Sequence, residues 1–279
     1  MDGDAKIANN VTPMRAFETK CGRMLVVAAH PDDETIGCGA LLGRVSDARI
    51  AYLTDGVPKD GSLRPIAFRD DAAAYRAARA RELCRALELV GMDESRILFL
   101  GGVDQEASYT MLPLVDRLLG VMDEVGPSLV ITHPYEGGHP DHDTAAFVTR
   151  MACTVRQKNH AHAPPIWEMT SYHARHGQLV TGSFLDDPCA NEIRESFTLT
   201  LSTDERRRKE LMMRCFATQE AVLAAFGIEA ELFRHAPLYD FYSPPHRGVL
   251  HFEQLGWPLS GRRWRELARE AARRLLGSS

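Results

Sequence analysis

VVAAHPDDETIGCGALL, residues 26–42, decides the fold. A run of small apolar residues stops at His30-Pro31 and breaks into three carboxylates, Asp32, Asp33 and Glu34. A glycine-bearing apolar stretch then resumes. Taken from Met24, the run MLVVAAH has the length and unbroken apolarity of a parallel strand buried on both faces. Thr35 to Val45 reads as the helix that follows. An imidazole and three acids therefore stand where a buried strand ends.

The same alternation continues outward. RIAYLTDG (49–56), RILFLGG (96–102) and SLVITHP (128–134) read as strands, with helical periodicity over about residues 69–90, 112–125 and 142–157. This order predicts an α/β fold: a Rossmann-like, doubly wound, mostly parallel sheet with helices on both faces and right-handed crossovers. Beyond residue 160 the pattern loosens into an irregular C-terminal extension. PIWEMTSYH, GQLVTGSF and ESFTLTLS look like strands. Ser202-Thr203-Asp204-Glu205 signals the N-cap of a helix over 204–217, and 219–226 also looks helical. HAPLYDFYSPPHRG is turn-rich and either folds over the site or forms an ordered core-packing loop. An Arg-rich amphipathic helix over 261–276 presents a solvated face. We expect a flexible N-terminal segment, 1–20, and one domain over 21–279. Its core spans 23–160, and its C-terminal elaboration, 161–279, extends the same sheet.

The 279 residues are ample for a sizeable core, and 44% hydrophobic with 25% charged residues is an ordinary globular balance. A net charge of −5 gives no footprint for nucleic acid. No apolar run approaches the roughly 18–20 residues of a membrane span. The first 20 residues hold no apolar core of a secretory signal. Six cysteines, at 21, 38, 84, 153, 189 and 215, are scattered without a CxxC pair. We therefore expect reduced, buried thiols and a cytoplasmic protein.

In open parallel sheets ligands bind beyond the carboxyl ends of the strands. Here the first strand ends in His30-Pro-Asp-Asp and the second in Asp55-Gly56. The third leads to Asp104. The fourth ends in His133-Pro and runs into His139-Pro-Asp-His142. Imidazoles with a carboxylate suit a catalytic zinc site that keeps an open position. His30 and Asp33, three apart on a strand-to-helix turn, can point at one centre. One histidine of the His139/His142 pair would complete the set. Asp32 is then free to take a proton from the attacking water, and the remaining histidine to face the tetrahedral oxyanion.

AAHPDDETIGCGA, followed about a hundred residues later by GGHPDHD, resembles the PIG-L (LmbE-like) family of zinc-dependent N-deacetylases. The resemblance covers about residues 23–158. It implies zinc held by His30, Asp33 and His142, with iron(II) as an alternative metal. It makes Asp32 the general base and His139 the histidine that stabilises the oxyanion and protonates the leaving amine. RARELCRALELVG resembles the family's Arg-x-x-Glu helix, which puts Arg79 at the sugar, and Asp104 resembles the acid that holds a sugar hydroxyl. Some relatives carry a mobile tyrosine two positions before the histidine equivalent to His139. Gly137 stands there in this chain, with Tyr135 nearby. Glu34 is read as supporting the helix N-terminus, and Gly37 and Gly39 as allowing close packing of the first helix. His133 is read first as a structural residue, with a partner of the site or a pocket residue as the alternative, and His160 and His162 as no second metal site.

The expected activity is thus removal of acetyl from an N-acetylglucosamine-type small-molecule conjugate. An amidase for a non-sugar N-acyl amide and a non-catalytic metal-binding module are the alternatives. The expected partner is the small-molecule substrate. The oligomeric state is open, a homo-oligomer included.

Overall fold

The computed structural model describes residues 22–185 and 195–277; the segment 1–20 lies outside them. In chain order the elements are β1 Met24–Ala28, α1 Asp33–Leu42, β2 Ala48–Pro58, α2 Ala72–Glu88, β3 Ile97–Asp104, α3 Met111–Val125, β4 Leu129–Thr132, α4 Pro140–Lys158 and β5 Ile166–Met169. There follow β6 Tyr172–Arg175, β7 Gln178–Thr181, β8 Ser196–Thr200, α5 Thr203–Cys215, α6 Glu220–Leu223, β9 Ala230–His235, α7 His251–Gln254 and α8 Gly261–Leu276.

Seven strands form one sheet in the order β3-β2-β1-β4-β5-β9-β8. The first five are parallel, whereas β9 runs antiparallel to both β5 and β8. β1 is buried along its whole length, and its residues alternate between two cores. Met24, Val26 and Ala28 join α1, α2 and α5 on one face. Leu25 and Val27 join α3, α4 and α8 on the other. The α/β sheet with helices on both faces is the fold expected from the sequence.

α8 buries Trp264, Ala268, Ala271 and Ala272 and leaves Arg262, Arg263, Arg273 and Arg274 exposed, the solvated face that its amphipathic pattern required. Trp264 Nε1 donates to Pro140 O at 3.1 Å and Thr144 Oγ1 at 3.0 Å, fastening α8 across the first turn of α4.

The C-terminal elaboration departs from expectation in two places. PIWEMTSYH is not one strand: β5 ends at Met169, and Tyr172 opens a separate β6–β7 hairpin outside the main sheet. β9 was not foreseen. Its charged residues, Glu231 and Arg234, obscure the strand pattern, and burial is possible only because each meets a partner. Glu231 lies against a break in α1, where Cys38 adopts φ −148°, ψ 21°. Its carboxylate accepts from the N–H groups of Ala40 and Leu41 at 2.7 and 3.0 Å, capping the second half of the helix. Lys209 Nζ reaches both Glu231 Oε1 (2.8 Å) and Ile36 O (2.7 Å). Gly37 is required on this face, since a Cβ there would come within 2.5 Å of Met169 Sδ. Gly39, by contrast, has ordinary room, 3.5 Å from Met212.

Candidate active site

β1 and β4 are hydrogen-bonded neighbours at the point where the strand order reverses, with β2 and β3 on one side and β5 on the other. This is where an open α/β sheet leaves a crevice. Each of the two strands runs directly into a helix, so two helix N-termini face one space. At the first, Asp32 is the N-cap of α1 and Asp33 its first residue, placing both carboxylates at the positive end of the helix dipole. Asp32 sits at φ 127°, a backbone conformation costly for any residue with a side chain. The cost is met by Glu34. Its buried carboxylate accepts from the Asp32 N–H at 2.9 Å and from Thr35 Oγ1 at 2.6 Å. Glu34 therefore does more than lend charge to the helix; it pins the backbone of its neighbour.

At the second N-terminus His139 is the N-cap of α4, and its Nδ1 accepts from Asp141 N at 3.0 Å. Pro140 follows at a position with no N–H to spend. Asp143 Oδ1 accepts from Glu136 N and Gly137 N at 3.1 and 3.0 Å, drawing the preceding loop over the helix start. Gly138 admits the β6 backbone: a Cβ there would lie 1.9 Å from Tyr172 O.

The side chains converge. The rings of His30 and His139 lie 4.6 Å apart, His139 and His142 5.1 Å, and His30 and His142 5.5 Å. Ligating atoms of these three histidines all fall within 4.8 Å of one another. Carboxylates back them. Asp33 Oδ1 is 3.1 Å from His142 Nε2, and Asp33 Oδ2 is 3.4 Å from His30 Nδ1 and 3.3 Å from His133 Nε2. His30 Nε2 faces Asp141 at 3.1 Å and Asp104 at 3.2 Å. His133 stacks on His142 with centroids 4.0 Å apart, and Ser171 Oγ meets His142 Nδ1 at 3.2 Å.

Burial holds the His142 imidazole at about 4 and drives His139 well below the ordinary range, so both are neutral at neutral pH. For Asp33, burial favours the acid form, but His142 and His133 outweigh it and hold the carboxyl well below its usual value. Asp32 goes the other way. Burial, reinforced by Asp33 and Glu34, pushes it up to about 7 against the pull of Arg79 and His30. Burial would lower His30, but Asp104, Asp141 and Asp33 outweigh it and hold its imidazole well above the ordinary range, so a metal there would take the place of a ring proton. With that proton gone, the imidazoles beside an ionised carboxylate form a nitrogen–oxygen donor set that fits zinc or iron(II).

Arg79, only 2% exposed, reaches Asp32 Oδ2 at 3.1 Å and also donates to Pro31 O; its Nε and Nη1 make no hydrogen bond, and Nη1 lies 4.0 Å from Glu82 Oε2. Asp104 is the last residue of β3, not a residue of the loop beyond it. All seven expected site residues, His30, Asp32, Asp33, Arg79, Asp104, His139 and His142, line a single cavity of about 480 Å³.

The sequence did not reveal the rest of that cavity. Tyr172, Phe226 and Trp257 come from the C-terminal elaboration, where no local motif marks them. Tyr135 does not face the site. Its hydroxyl donates to Ser243 O at 2.9 Å and its ring stacks on Trp264 in the core. The aromatics Tyr239 and Phe241 of HAPLYDFYSPPHRG likewise enter that core, and His246 lies outside the cavity. His160 and His162 are exposed and belong to no metal-suited cluster among the described residues. Cys38 and Cys153 are buried, but Cys84 and Cys215 are partly exposed, contrary to expectation.

Residues 25–153 match the PIG-L family, described as GlcNAc-PI de-N-acetylase. Over that stretch the chain is similar to the PIG-L family. The matched residues include both helix N-termini and every expected site residue. A curated relative from Actinosynnema mirum, 1D-myo-inositol 2-acetamido-2-deoxy-alpha-D-glucopyranoside deacetylase, is 30% identical over 158 residues. That match takes in 47% of this chain and 54% of the relative, so the chain spans about half the length of the curated relatives it matches. Among solved structures, the A40926 pseudoaglycone deacetylase Dbv21 superposes with a TM-score of 0.56 at 17% identity, covering 77% of this chain and 97% of its own. GalB, the 4-carboxy-2-hydroxymuconate hydratase from Pseudomonas putida KT2440, superposes with a TM-score of 0.54 at 19% identity, over 78% and 97%. A PIG-L-like fold thus carries more than one chemistry, and the activity must be argued from the site.

Proposed function

We propose that this chain is a divalent-metal-dependent N-deacetylase acting on an N-acetylglucosamine-type sugar in a small-molecule conjugate. One observation carries the reading: Asp32, strained and buried, stands beside the histidine cluster but outside the ligating set, with its carboxylate on the cavity wall. A structural carboxylate has no need of that backbone. The PIG-L match and the deacetylase relatives support the same chemistry.

The residues divide by hydrogen bonding. His30 gives its Nε2–H to Asp141 and Asp104, which leaves the Nδ1 lone pair beside Asp33. His142 turns Nε2 toward Asp33 Oδ1 and rests Nδ1 on Ser171. His30, Asp33 and His142 would hold zinc or iron(II), oriented by partners of the kind that tune metal ligands. Bound there, the metal supplies Lewis acidity to the acetyl carbonyl and acidifies water. His139 is excluded from ligation by its tautomer: Asp141 N–H occupies Nδ1, so in the neutral ring the proton is on Nε2, facing the cavity.

Asp32 Oδ takes the proton of the attacking water as its oxygen adds to the acetyl carbon. His139 Nε2–H donates to the resulting tetrahedral oxyanion. The C–N bond then breaks, the amine nitrogen leaves with the proton that Asp32 took from the water, and acetate is released; neutral His139 contributes a hydrogen bond and keeps its proton. Arg79, through Nε and Nη1, and Asp104 hold the sugar. No helix among the described residues is long and apolar enough to cross a membrane. A reduced state for the four free described cysteines belongs to the same reading, with the protein in the cytoplasm.

The test is release of free amine from N-acetylglucosaminides by purified protein. Activity should appear with added zinc or iron(II), vanish with a chelator, and be absent with a non-sugar N-acyl amide of matching size. Metal-independent turnover, or preference for the non-sugar amide, contradicts the proposal.

A further inference from the structure

We propose that the substrate's aglycone is an extended apolar group, seated on a collar of side chains at the mouth of the cavity; this rests on the deacetylase reading above. Leu63, Leu179, Val222 and Leu255 are 42%, 47%, 50% and 52% exposed, and all four line the cavity. They come from four separate places: the turn after β2, strand β7, helix α6 and the residue just after α7. Isolated exposed leucines are ordinary on a protein surface, but an apolar ring around one opening marks a contact surface. Phe226 and Trp257 line the same cavity. Trp257 stands edge-on to His139 with centroids 4.7 Å apart, and Phe226 meets Tyr172, which in turn meets His142 at 5.1 Å. The apolar wall is thus continuous with the site.

Most of the polar groups on that side are already engaged, with His251 Nδ1 the buried exception. Arg64 donates through Nε, Nη1 and Nη2 to the carbonyls of Pro58, Arg69 and Lys59. Gln219 Nε2 donates to Tyr75 and to Thr218 O, and the Thr218 hydroxyl donates to Glu82. A hydroxyl-rich aglycone would lose water there and find few partners in return, which costs free energy. At the inner end the balance is reversed, since two buried Arg79 nitrogens, Nε and Nη1, make no hydrogen bond. The cavity therefore sorts its ligand, with the sugar inward and an alkyl or aryl group outward.

The experiment compares methyl, hexyl and glyceryl glycosides of N-acetylglucosamine as substrates, with hexyl kept below its micelle threshold. It also measures binding of the corresponding free-amine products. The hexyl glycoside should exceed the methyl in kcat/KM by about 10–100-fold, carried by KM, for a partly buried chain. The glyceryl glycoside should gain nothing. In a Leu179→Gln, Val222→Gln double variant the hexyl-to-methyl ratio should fall below about threefold. Equal rates for hexyl and methyl, a preference for glyceryl, or a ratio that survives the double variant overturns the proposal. If no glycoside is hydrolysed while the hexyl amine still binds more tightly than the methyl, the collar stands and the deacetylase reading falls. If the amines bind equally, the collar falls.

Discussion

Glu231 and Asp33 are both carboxylates with almost no exposure, and both lie against helix α1, yet they are buried to opposite ends. Around Glu231 every group is consumed within the protein. One oxygen takes Ala40 N–H and Lys209, the other takes Leu41 N–H, and Lys209 spends itself on Glu231 and Ile36 O. Nothing is left over, and neither Glu231 nor Lys209 lines the active-site cavity. Around Asp33 the partners are imidazoles that share oxygens, face an open cavity, and stand beside a base held at a strained φ. A closed network of charge repairs a break in a helix. An open one is kept assembled for something that arrives. Burial of charge alone does not mark a functional site; incomplete satisfaction beside a cavity does.

The largest expected effect separates the two. Glu231→Ala leaves Lys209 and two helix N–H groups unpaired in the core and should cost about 3–5 kcal/mol of stability. Asp33→Ala removes a carboxylate that His142 and His133 favour in the folded state and that accepts the His30 N–H at 2.8 Å. It should also destabilise the metal-free protein, but by less than Glu231→Ala because its site opens on a cavity, while abolishing metal binding. Denaturant unfolding of both variants without metal checks this. Equal destabilisation would erase the distinction drawn above.

A smaller effect tests whether closed pairs farther out behave in the same way. Glu205, paired with Arg44 at 2.6 Å and capping α5 through Ser202, is pulled down to about 2 by Arg44 and the Ser202 hydrogen bonds. Its folded value is below its unfolded one. The stabilisation is therefore present above the unfolded value and is lost as pH falls through about 2. Glu205→Gln should cost about 1 kcal/mol at pH 7, screening included, with the difference from the parent shrinking between about pH 5 and 2. A difference independent of pH would show that the pair contributes packing rather than charge.

How much of this was legible in the sequence follows from the range of the interactions. Both helix starts and five of the seven candidate residues, His30, Asp32, Asp33, His139 and His142, lie in VVAAHPDDETIGCGALL and GGHPDHD, short motifs whose spacing is set by local backbone geometry. Arg79 and Asp104 lie outside both and rested on the family resemblance. β9 was not readable. AELFRH looks polar until Glu231 finds Lys209, and until Arg234 finds Glu168 and Glu136, 66 and 98 residues away. The outer cavity wall was hidden for the same reason: Tyr172, Val222 and Trp257 become neighbours only once the hairpin and α6 are docked. The strain at Asp32 left no trace in the chain either, since an aspartate after His-Pro is compatible with an ordinary turn.

Asp32→Asn, assayed for zinc content and acetate release on the same preparation, tests the central claim most directly. The account expects about one zinc per chain, as in the parent, with kcat lowered by about 10²–10⁴-fold. A variant that loses its zinc would make Asp32 a ligand, and one that keeps zinc and full turnover would show that it is no base; either result contradicts the account.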